Sequence, residues 1–100
     1  MKRTLDRESM ALHAALGSTI FEIAKAAGLT PAQAFSRMGE FHLERDPGSR
    51  RGPRRCEIAA WLGLPSTPAT CPKHERIVAA AEALDPQRRR EFLTWLRATA

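Results

Sequence analysis

Residues 19–41 read TIFEIAKAAGLTPAQAFSRMGEF. Thr19 and Glu22 have the spacing of a capping box, in which the Thr hydroxyl accepts from one orphan amide and the Glu carboxylate reaches back to another. Thr30 and Gln33 repeat that spacing, and Pro31 falls at the first helical position, where a missing N–H costs nothing. Gly28 stands where the first helix must stop, because glycine takes the left-handed conformation without a Cβ clash. The spacing predicts a helix over 20–27, a turn at Gly28-Leu29-Thr30 and a second helix over 31–41. Ile20, Ile23, Ala24 and Ala27 line the apolar face of the first helix, and Ala34, Phe35, Met38 and Phe41 that of the second. Ala32, Gln33, Ser36 and Arg37 are then left pointing outward. Helix, glycine turn and capped helix in this order is the pattern of a helix-turn-helix.

Upstream, Leu5, Ser9, Leu12 and Leu16 share one face of a helix over 5–16 that Gly17 ends. His13 lies beside that face as a boundary residue. Downstream, residues 44–55 read ERDPGSRRGPRR. Pro47, Gly48, Gly52 and Pro53 argue against a regular element there. Arg45, Arg50, Arg51, Arg54 and Arg55 make this the most basic segment, either an arm suited to phosphates or to an acidic groove or a solvated loop whose charges keep the chain soluble.

A short helix over 55–62 follows, stopped by Gly63. Its segment IAAWLGL (58–64) echoes IAKAAGL (23–29) position for position, which points to two helices with the same buried face and the same glycine stop. Trp61 is expected to pack at the edge of that helix. After a loop over 65–72 with three prolines, Ile77, Val78, Ala81 and Leu84 mark the inner face of a helix over 73–84. Asp85-Pro86 caps a last helix over 86–98, with Phe92, Leu93 and Leu96 on one face and Arg88, Arg89 and Arg90 on another. Phe92, Trp95 and Leu96 either close the core or form a homodimer patch.

No alternating β pattern occurs and there is no Tyr, so the chain reads as all-α. One hundred residues suit a single domain of five to six helices, with a helix-turn-helix core over 5–64 and a helical hairpin over 73–98. No apolar run approaches the ~20 residues of a membrane span. MKRTLDRES is followed by no signal-peptide core, so a cytoplasmic protein is expected.

Sixteen basic residues against eleven acidic give a net charge of +5, and thirteen of the sixteen are Arg. A high-GC genome gives the same Arg bias, but the sign favours a polyanion or an acidic surface as partner. Cys56 and Cys71 are too few for a disulfide framework. With His42 and His74 they supply four zinc-ligand types, yet the Cys spacing of 15 lacks a CxxC pair, so no metal or cofactor is expected. No phosphate loop, nucleophile elbow or zinc-protease motif is present, which argues for binding rather than catalysis.

The residues Thr19 to Ala24, the turn Gly28-Leu29-Thr30 and the later Leu62-Gly63 resemble the lambda-repressor-like helix-turn-helix family, closest to its Cro- and Ner-type members from phages and mobile elements. The resemblance covers residues 5–64. It implies double-stranded DNA binding in a bacterial cytoplasm, with the helix after Thr30 in the major groove and Thr30, Ala32, Gln33, Ser36 and Arg37 facing bases. Gln33 would pair with adenine and Arg37 with guanine. Three features depart from the family pattern. Pro31 and Ala32 stand where polar readers are usual, Arg37 stands where an apolar residue is usual, and the 44–55 connection is long and basic. They support an alternative of another class. In it, a phage-type inhibitor of the anti-CRISPR kind uses the same scaffold and basic loop to occupy a host protein or ribonucleoprotein and block nucleic-acid binding.

Overall fold

The computed structural model describes residues 5–67 and 70–99. Among them there are six α-helices and no strand: α1 (Arg7–Ala15), α2 (Ile20–Ala27), α3 (Pro31–Glu40), α4 (Gly52–Trp61), α5 (His74–Glu82) and α6 (Pro86–Ala98). None is long and apolar enough to cross a membrane. Pro68 of the expected proline loop lies outside the described residues. The chain gathers into two units, residues 1–46 and 47–100, so the 58–64 segment of the expected 5–64 core belongs to the second.

In the first unit both capping boxes are complete. Thr19 Oγ1 accepts from the Glu22 amide at 3.1 Å and Glu22 Oε1 accepts from the Thr19 amide at 2.7 Å. Thr30 and Gln33 make the equivalent pair at 3.2 and 2.9 Å. Each box satisfies two amides that the first turn leaves without a helical partner, worth about 1 kcal/mol per cap. α1 begins two residues later than its apolar spacing implies, because Asp6 caps it by accepting from the Ser9 amide at 2.7 Å. His13 is buried rather than peripheral, its Nδ1 lying 3.3 Å from the Ser18 hydroxyl in the turn that follows.

α1, α2 and α3 bury Met10, Ala14, Ile23, Ala24, Ala27, Ala34 and Met38 around a shared core, with Ile20, Leu29, Phe41 and Leu43 packed against it. Small residues at 24, 27 and 34 let the helices approach closely. Phe35 departs from expectation: it is 73% exposed. Ala34 and Met38 define the inward stripe, and Phe35 is turned one position, about 100°, away from it.

The echo between 23–29 and 58–64 is structural. Ile23 and Ala24 are buried, as are Ile58 and Ala59. Gly28 (φ 71°) and Gly63 (φ 78°) both adopt the left-handed conformation. The Leu29 amide donates to Ala24 O at 2.9 Å and the Leu64 amide to Ala59 O at 3.0 Å, the same helix-stop hydrogen bond.

The arginine segment is more ordered than its Pro and Gly content implies. Pro47–Arg50 forms a 3₁₀ turn and α4 starts at Gly52, so Arg54 and Arg55 are helical. Pro53 lies in the first turn of α4, where no helical acceptor awaits its missing N–H, so it starts the helix instead of breaking it. In this second unit Ile58, Ala59, Ile77, Ala81, Phe92, Leu93 and Leu96 are buried. Trp61 packs on Phe92 with ring centroids 5.0 Å apart, and Trp95 lies 5.8 Å from Trp61 and 6.1 Å from Phe92. Phe92 has no exposed surface, and its truncation to Ala would cost about 3–5 kcal/mol.

Candidate functional site

The first helical turn of α3 fixes the site. Because Thr30 caps and Pro31 opens the helix, Ala32, Gln33, Ser36, Arg37 and Glu40 form one outer strip that lines a shallow depression of about 290 Å³. Thr30, Ala32, Gln33 and Ser36 are exposed, and Arg37 is half-buried. Of the residues expected to face outward, Ala32, Gln33, Ser36 and Arg37 are therefore brought together on one side of α3, and Thr30 caps its start.

Their chemistry is narrower than their identities suggest. Gln33 Oε1 already accepts from the Thr30 amide, so a bidentate pairing with adenine must use the oxygen's second lone pair or release the cap. Arg37 Nε lies 3.8 Å from Glu40 Oε2, which places a carboxylate in the same depression. That pair is solvent-exposed and weak, about 0.3–0.5 kcal/mol, so a phosphate or guanine can compete for Arg37.

The basic segment divides by role. Arg45 Nε donates to Ser18 O and its Nη2 to Gly17 O at 3.0 Å, clamping the turn between α1 and α2. Arg54 donates through Nη1 to Thr99 Oγ1 at 2.8 Å and through Nη2 to Leu96 O at 3.0 Å, tying α4 to the end of α6. Arg55 Nε donates to Cys71 Sγ at 3.4 Å. Arg50 is half-buried on the 3₁₀ turn, and Arg51 is exposed at the start of α4. Arg45, Arg54 and Arg55 thus have structural work, while Arg51 is exposed. On α6, Arg88 lies over Trp61 at 4.6 Å and pairs with Glu91 at 2.7 Å, while Arg90 and Arg97 are exposed.

Charge is unevenly shared between the units. Residues 1–46 carry six basic and six acidic side chains, and residues 47–100 carry ten and five, so the whole net charge of +5 belongs to the second unit. The expected dimer patch is largely internal: Phe92 and Leu96 are buried and Trp95 is half-buried beneath Arg54. No three His, Cys, Asp or Glu side chains among the described residues gather as a metal site.

A feature absent from the sequence expectations adjoins the α3 strip. Phe21 on α2 is 68% exposed and, with Phe35, borders a groove of about 600 Å³ floored by Ile20, Met38 and Leu43. The sequence signals only Phe21, which sits one position off the Ile20, Ile23, Ala24 and Ala27 stripe; Phe35 shares i, i+3 spacing with Met38 and gives no such signal. No known protein family, curated protein or solved structure matches this chain.

Proposed function

We propose that the protein is a small helix-turn-helix DNA-binding regulator, in which α3 enters the major groove. One observation carries this reading: two complete capping boxes frame a left-handed glycine turn and leave Thr30, Ala32, Gln33, Ser36 and Arg37 outward on α3. A helix presented in this way can place its first two turns against base edges. Exposed Arg51, Arg90 and Arg97 are suited to phosphates. The test is a titration of a random-sequence duplex at several salt concentrations. Neutralising about five phosphates would give a log–log slope of roughly −4.5, and a nearly flat slope would overturn the reading.

A second reading rests on the exposed Phe21 and Phe35 of an electrically neutral unit. Large exposed aromatics side by side suit a protein surface better than a phosphate backbone. The protein would then be a phage-type inhibitor that occupies a host protein or ribonucleoprotein and blocks its nucleic-acid binding. Pull-down from bacterial lysate with and without nuclease separates the two. A stoichiometric protein partner that survives nuclease favours the inhibitor, and loss of all captured material favours the DNA regulator.

A further inference from the structure

The two cysteines lie 15 residues apart in sequence, one on α4 and the other in the loop before α5. The structure brings them together on the wall of an open cleft of about 520 Å³, with Gly52, Pro53, Ala60 and Thr67 also lining it. Both are half-buried and unoxidised. Arg55 Nε donates to Cys71 Sγ at 3.4 Å, and the two thiols lie near enough to shift each other's ionisation. Next to Cys71, the Thr70 amide donates to Thr67 Oγ1 at 3.0 Å, and the two Thr hydroxyls lie 2.6 Å apart.

We propose that Cys71 and Cys56 form a reactive dithiol site for small disulfides, with Cys71 attacking first and Cys56 resolving the product. The Cys71 thiolate attacks one sulfur of a disulfide RSSR. A Cys71–S–S–R bond forms, the RS–SR bond breaks, and RS⁻ leaves and takes up a proton. Cys56, deprotonated, then attacks Cys71 Sγ, forming the Cys56–Cys71 bond and expelling a second RS⁻, which takes up the other proton. Each cysteine is oxidised by one electron, and RSSR is reduced to two RSH.

The asymmetry between the two sulfurs follows from their surroundings. The neighbouring Cys71 thiol pushes the Cys56 thiol up, as does its partial desolvation. Desolvation alone would push Cys71 up as well. The Cys56 thiol and the Arg55 guanidinium outweigh it and hold Cys71 below the ordinary thiol value. The Ser66 hydroxyl, which lines the same cleft, favours both thiolates. Attack requires a thiolate, so the lower group leads.

The test incubates the reduced full chain with oxidised glutathione at neutral pH, quenches with acid, and reads intact mass and peptide maps. The wild type is expected to pass through one glutathione adduct at Cys71 and end two hydrogens lighter, with an intramolecular disulfide. C56S, which keeps a hydrogen-bond donor beside Cys71, should stop at the Cys71 adduct. C71S should form its Cys56 adduct several-fold more slowly than C56S forms its Cys71 adduct, because the Arg55 guanidinium donates to Cys71 Sγ and not to Cys56. Arg55→Gln should slow the first step several-fold in the otherwise unchanged protein, with α-helical circular dichroism retained in each variant. Two stable adducts on the wild type, equal rates at the two cysteines, disulfide-linked dimers as the main product, or no reaction would each overturn the proposal.

Discussion

The guanidinium carbon of Arg54 lies 5.1 Å from the centre of the Trp95 ring. The same side chain, 17% exposed, donates to Leu96 O and Thr99 Oγ1 at the last turn of α6. An arginine from the most basic stretch of the chain therefore closes the second unit, satisfying a carbonyl that the helix end leaves without a partner. Its planar fork suits this task, because it serves two acceptors while stacking on an aromatic face.

Arg54→Ala should destabilise the second unit by about 2 kcal/mol, combining lost charge-assisted hydrogen bonds with a cation–π contact. Arg54→Lys should recover less than half of that, since an ammonium cannot reach both acceptors in one geometry. Trp61 and Trp95 are the only tryptophans and both belong to this unit. Urea unfolding followed by tryptophan fluorescence therefore reads the effect where it occurs. Equal stability of R54A and the wild type would mean that these contacts are not formed in solution.

His42 ends α3 with φ at 56°, the one non-glycine in the left-handed region among the described residues. The Leu43 amide donates past it to Met38 O at 2.9 Å, so the stop motif is intact and the strain falls on His42. His42→Gly should stabilise the first unit by about 0.5–1 kcal/mol, the relief of Cβ strain exceeding the added freedom of the unfolded chain. His42→Val should destabilise it by about 1–2 kcal/mol. Hydrogen exchange at the α3 amides measures both changes, and an H42G variant with faster exchange than the wild type contradicts the account.

Gln33 serves two tasks that one substitution separates. Gln33→Glu keeps an acceptor for the Thr30 amide and adds a negative charge in the first turn, favourable there by about 0.3–1 kcal/mol. It also removes the amide donor and places a carboxylate on the outer strip, where phosphates would approach. Thermal stability should rise slightly while duplex affinity falls by roughly tenfold, the size of one lost base contact. Unchanged affinity in fluorescence anisotropy would remove α3 from the DNA interface.

The parts of the fold legible in the sequence are those with local causes. α2 begins and ends, and α6 begins, where caps, proline and glycine place them, because a cap acts within three or four residues. Pro53 carried two meanings, breaker or first-turn residue, and only the packing of Ile58 and Ala59 below it decides between them. The fates of Arg45 and Arg54 were not legible, since their acceptors stand 27 to 45 residues away in the chain. Phe35 departs from the expected inward stripe for a related reason: adjacent apolar residues compete for one inward stripe, and the close α2–α3 contact selects the smaller Ala34.

That selection sets up the experiment that best separates the two functional readings. Phe21 and Phe35 contribute little to the monomer's own core, since each is about two-thirds or more exposed. Replacing both with Ser should change folding stability by no more than about 0.5 kcal/mol per site. If the groove between them seats a protein partner, the same double variant should lose that partner by a factor of about a hundred or more, because aromatic anchors dominate such interfaces. If α3 reads DNA through its polar strip, duplex affinity should fall far less in F21S/F35S than in Arg37→Ala. Isothermal titration of both variants against duplex and against captured partner compares the losses on one scale. An F21S/F35S protein that keeps both affinities would leave the groove without a binding role and assign recognition to the polar strip of α3.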